Sequence, residues 1–81
     1  MRLILISLNK LDATFGKSLR KRRLEKLLTQ EVLALESNLS RAYISDIEMG
    51  KKDPSLFTVF KLANALQLKP SVLIDDVEHT I

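Results

Sequence analysis

The chain has no cysteine and no tryptophan, and only one histidine, two glycines and two prolines in its 81 residues. Without cysteine, neither a disulfide framework nor a thiolate metal site can be built. Two glycines and two prolines leave little room for the many turns of a β architecture, and Gly16 and Gly50 stand alone rather than in a phosphate-cradling loop. The single imidazole, His79, stands near the C-terminus beside Asp75, Asp76 and Glu78; this reads as a solvated acidic tail rather than a metal site. No apolar run approaches the roughly twenty residues of a membrane span. The aliphatics Leu3, Ile4, Leu5, Ile6 and Leu8 also lack the length and cleavage site of a secretory signal. No nucleophile stands in a credible pocket at this size. The composition therefore points away from an enzyme, a cofactor, a small-molecule ligand and a membrane partner.

What is present is leucine, charge and helical spacing. The chain is 46% hydrophobic and 28% charged, as expected of one soluble domain. Its net charge is +3, unevenly spread. Residues 1–52 carry eleven Lys or Arg against six Asp or Glu, a balance of +5, whereas residues 53–81 carry two against four, a balance of −2. A basic half suits a polyanion, although such charges commonly only solvate a surface.

The most informative stretch is residues 29–48, TQEVLALESNLSRAYISDIE. Leu33, Ala34 and Ser37 share one helical face and Ile44 and Ile47 another, with Leu39 in the turn between them. Ala34 is small where two helices cross. Asn38 tolerates the left-handed conformation that ends the first helix. Thr29 and Ser40 are N-caps for the first and second. This spacing is that of a helix-turn-helix. Around it, the pattern predicts a helix over residues 15–27, with Phe15 and Leu19 on its inner face and Leu24, Leu27 and Leu28 extending the apolar contact. A fourth helix (56–66) follows Pro54-Ser55, its apolar stripe wide enough to be buried on two sides, and a fifth starts at Pro70. The expected architecture is all-α: an N-terminal extension (1–14) whose aliphatics pack on the body or pair between subunits, a five-helix domain (15–77), and a frayed tail (78–81).

FGKSLR, TQEVLA, SNLSRAYISDIEMGKKDPS and LANAL, over residues 15–74, resemble the phage-repressor/Cro-type (Xre) helix-turn-helix family, a five-helix bundle of the lambda-repressor-like DNA-binding type. Within it, RLEK and NLSRAYIS look most like the controller proteins of restriction-modification systems. The resemblance implies a sequence-specific, double-stranded DNA-binding transcription regulator, in the cytoplasm of a bacterium or phage-infected cell and associated with the nucleoid. Three positions depart from the family's usual glycine, at Leu27, Asn38 and Gln67; Leu27 and Gln67 imply altered helix ends. Arg22 replaces a usual aliphatic, so the core is thinner there or the arginine stem snorkels.

The second helix of the motif is expected to present Ser40, Arg41, Ala42, Ser45 and Asp46 to base edges in the major groove. Arg41 suits a bidentate contact to guanine, or alternatively a phosphate. Ala42 can touch a thymine methyl or make room for Arg41. Asp46 accepts from cytosine, orients Arg41 or faces solvent, and Tyr43 donates to a phosphate or packs at the helix edge. By resemblance, Gln30 clamps the DNA backbone with the amides after Thr29, and Lys51, Lys52 and the amides near Ser55 do so on the other side. Arg23 and Glu48 are implied to form a structural ion pair. Phe57, Phe60, Val72, Leu73 and Ile74 give more apolar surface than a small core uses, so these residues, with Val77, are the expected homodimer surface for a pseudo-palindromic operator. A rival reading is an antitoxin-type or phage-repressor-type protein whose main partner is another protein.

Overall fold

The computed structural model describes residues 10–80. Five helices follow one another: α1 (Leu11–Glu25), α2 (Gln30–Ser37), α3 (Arg41–Glu48), α4 (Leu56–Ala65) and α5 (Pro70–Thr80). Helix α1 begins four residues earlier than the spacing predicts, inside the segment set apart as an extension, and stops two residues sooner. Helix α5 continues through Glu78 and His79, where a frayed tail was expected. The expectation for Leu3 to Leu8 lies outside the described residues.

The connections reuse a small set of local devices. Helices α2, α3 and α4 start from a hydroxyl cap: Thr29 Oγ1 accepts from the Val32 amide, Ser40 Oγ from Tyr43, and Ser55 Oγ from Thr58, at 3.0–3.1 Å. The first four helices end in one left-handed residue, at Leu27, Asn38, Gly50 and Gln67, with φ between 58° and 74°. Beyond each, an amide reaches back five residues: Leu28 to Arg23, Leu39 to Ala34, Lys51 to Asp46 and Leu68 to Ala63, at 2.9–3.1 Å. This is the Schellman closure. Leu27 and Gln67 therefore do not alter the helix ends, as their departure from glycine implied. They keep the turn and carry its steric cost instead.

The helices pack in a closed cycle, α1 on α3, α3 on α2, α2 on α4, α4 on α5 and α5 back on α1. Inside it lie Phe15, Leu19, Leu33, Ala34, Ile44, Ile47, Val59, Leu62, Ala63, Leu66, Leu73 and Val77. Leu24 and Leu27 do not extend this core as expected: Leu24 is exposed, and Leu27 is 92% exposed on its turn. Gly16 fixes the approach of α1 to α3. A Cβ there would collide with the Ile47 carbonyl oxygen and stand 2.8 Å from that of Glu48.

Arg22 neither thins the core nor simply snorkels. Its Nε and Nη2 donate to the two carboxylate oxygens of Asp76 on α5, at 2.8 and 2.7 Å, and Ser18 Oγ donates to the same carboxylate at 2.8 Å. The hydrogen bonds from Arg22 hold the Asp76 carboxyl below its ordinary value, with Ser18 adding to them and burial opposing. A bidentate polar clamp thus ties α1 to α5 at a position where the family usually has an aliphatic.

Candidate nucleic-acid interface

Helix α3 is held at one end and free at the other. Ile44 and Ile47 are fully buried and Glu48 is buried beside them, while Ser40, Arg41 and Ala42 are exposed. Glu48 anchors the far end. Arg23 Nε and Nη2 donate to its two oxygens at 2.7 and 3.0 Å, and Arg23 Nη1 donates to the Leu28 carbonyl at 2.8 Å. The pair is almost entirely removed from solvent. The hydrogen bond to Glu48 raises the Arg23 pKa, against the desolvation that lowers it. Gln30 joins the network, Nε2 donating to Glu48 Oε1 at 3.0 Å. The first turn of α2 is thereby tied to the last turn of α3.

The other expected site residues divide by exposure. Lys51, Lys52 and Ser55 are exposed along the loop after α3, with the Ser55 hydroxyl capping α4 and donating to Thr58 Oγ1. Thr29 is exposed as the cap of α2. Tyr43 is half-buried against the core, and Ser45 and Asp46 are half-buried on the flank of α3. The ion-pair partner of Arg41 is Glu31 of α2, at 4.0 Å, rather than Asp46.

Of the expected dimer surface, Phe57, Phe60 and Ile74 are exposed and Val72 is half-buried. Leu73 and Val77 are corrections. Leu73 is 0% exposed and Val77 5%, because both face the protomer's own core. Leu56, at the start of the α4 stripe expected to be buried on two sides, is 71% exposed. Among the described residues no cluster of His, Asp or Glu could hold a metal ion, and no helix is long and apolar enough to cross a membrane.

Two short helices packed on each other through a tight turn, with the leading end of the second exposed, define a helix-turn-helix domain. Comparison with known proteins agrees: the chain belongs to the helix-turn-helix family, which matches residues 19–73. It is 43% identical over 68 residues to the control protein C.BamHI of Bacillus amyloliquefaciens, covering 83% of this chain and 84% of that one. It is 39% identical over 72 residues to the control protein C.MunI of a Mycoplasma species, covering 88% and 97%. Among solved structures it resembles the restriction-modification controller protein C.AhdI from Aeromonas hydrophila, with TM-score 0.76 and 42% identity over 76% of this chain and 94% of that one.

Proposed function

We propose that the protein is a sequence-specific double-stranded DNA-binding transcription regulator that acts as a homodimer on a pseudo-palindromic operator, as an autoregulatory controller of a restriction-modification system. The observation that carries this is the polarity of α3: its C-terminal turn is clamped by the Arg23–Glu48 pair, and Ser40, Arg41 and Ala42 at its N-terminal end are exposed. A helix gripped at one end can enter a major groove without deforming. Arg41 takes guanine O6 and N7, and Ala42 leaves room beside it. The amides opening α2, with Thr29 and Gln30, meet a phosphate on one side of the groove, and Lys51, Lys52 and the opening of α4 meet one on the other. Kinship with C.BamHI, C.MunI and C.AhdI supports the controller role.

One recognition helix reaches only a few base pairs, so two copies about 34 Å apart are needed to read an operator. The exposed Leu56, Phe57, Phe60 and Ile74 supply the apolar surface for that pairing. Selection from a random duplex pool, followed by footprinting on the DNA upstream of the chain's own gene, tests the assignment. A two-fold related consensus protected on the upstream DNA is the expected result. A pool that stays random after selection overturns it.

A further inference from the structure

Glu31 lies in the first turn of α2, beside Thr29 and Gln30, at the helix end assigned above to a phosphate. A carboxylate in that position works against a polyanionic partner, since it repels the phosphate drawn there by the amides. Its side chain is 80% exposed, and its ion-pair partner is Arg41, across the turn on α3. The closest approach is between Glu31 Oε1 and Arg41 Nε, 4.0 Å apart. The terminal Nη1–Nη2 fork of Arg41, the edge that fits O6 and N7 of guanine, is therefore not consumed by the pairing.

We propose that Glu31 is a positioning residue that determines specificity: it holds Arg41 from the Nε side, keeps the fork directed at base edges, and disfavours the capture of Arg41 by backbone phosphate. This rests on the DNA-reading function proposed above and adds a role for a residue that does not itself read DNA. In water an exposed ion pair contributes little. Near a duplex the alternatives for Arg41 are unequal. A phosphate is within reach of a long, freely rotating arginine on any sequence, and such a contact carries no sequence information. A guanine is in reach only in the right register. By adding repulsion where phosphate lies and leaving the fork free, Glu31 weakens binding to all DNA but weakens non-specific binding more. Discrimination by an unfavourable element of this kind is a general route to specificity.

The test compares affinity for a selected operator duplex with affinity for a scrambled duplex at one salt concentration, in the wild-type chain and in Glu31→Gln. The substitution keeps the shape and removes the charge. Non-specific affinity is expected to rise about tenfold and operator affinity about threefold or less, so that their ratio falls about threefold or more. Glu31→Ala should give the same fall without introducing an amide. In an Arg41→Ala background, Glu31→Gln should raise both affinities by the same factor, since no guanidinium remains to be positioned. Equal rises in the wild-type background would show that Glu31 acts only through its general field and would overturn the proposal. A wild-type chain without preference for any sequence would overturn the DNA-reading function itself, a result distinct from an intact preference that Glu31→Gln leaves unchanged.

Discussion

Leu27 and Gln67 hold φ values of 59° and 58°, in a region that costs an L-residue roughly 1–2 kcal/mol because Cβ crowds the following carbonyl. Nothing at Leu27 offsets that cost through burial, since its side chain projects into solvent. Leu27→Gly should therefore raise stability by about 1 kcal/mol, after allowing for glycine's greater freedom in the unfolded chain, and a rise in the urea midpoint at constant slope would show it. Glu48 is the opposite case. Three of its hydrogen bonds come from Arg23 and Gln30, and its removal leaves a buried guanidinium without its counter-charge. Glu48→Ala should cost about 3–5 kcal/mol and abolish DNA binding through loss of structure. Circular dichroism separates the causes, because unchanged melting with lost binding would place Glu48 at the DNA instead.

At the scale of elements, α3 is held in place by α1 as well as by its own buried residues. Gly16 lets the α1 backbone lie against the last turn of α3, and Arg23 grips Glu48 a short distance away. Helix α1 is in turn steadied by α5 through the Arg22–Asp76 clamp. That clamp makes stability depend on acidity in a definite direction. The Asp76 carboxyl is held below its ordinary value, so its contribution is complete above the unfolded carboxylate range, about pH 4, and is lost as pH falls through the lower folded value. Asp76→Asn should lower stability at neutral pH by about 1–2 kcal/mol and flatten part of the fall below pH 4. Denaturation midpoints measured from pH 7 down to pH 2 on both proteins would show it.

For the whole molecule, the proposed pairing sets the expected reach and salt response. If each subunit neutralises about three phosphates, the dimer releases counterions at about six, and log K should fall with log salt at a slope near −5. The apolar surface proposed for the second copy includes α4, where Phe57 is 70% exposed with Lys61 over its ring at 4.9 Å. Phe57→Asp should leave the protomer folded, because the side chain takes no part in the core, and should weaken dimerisation by about tenfold or more. Sedimentation equilibrium measures that loss, and the salt slope of the variant should fall to about half at concentrations where it is monomeric.

Local chemistry written in adjacent residues was legible in the sequence. Thr29 and Ser40 are caps because a hydroxyl bonds an amide three residues on. Asn38 closes α2 because its side chain tolerates positive φ, and the spacing of Leu33, Ala34, Ile44 and Ile47 defines two crossing faces. Contacts between distant residues had no such local signal. Arg22 and Asp76 are 54 positions apart, and nothing near either names the other. Leu73 and Ile74 are equally apolar neighbours, yet only the rotation of α5 against the bundle buries one and leaves the other open. Leu27 and Gln67 looked like altered helix ends because local preference argues against left-handed residues there, and the cyclic packing of five helices overrides it. The residues alone determined the helix-turn-helix and its caps, since those forces act within one turn; which face meets solvent, and which charges meet each other, was decided only when the five helices packed, because burial is a property of the assembled bundle.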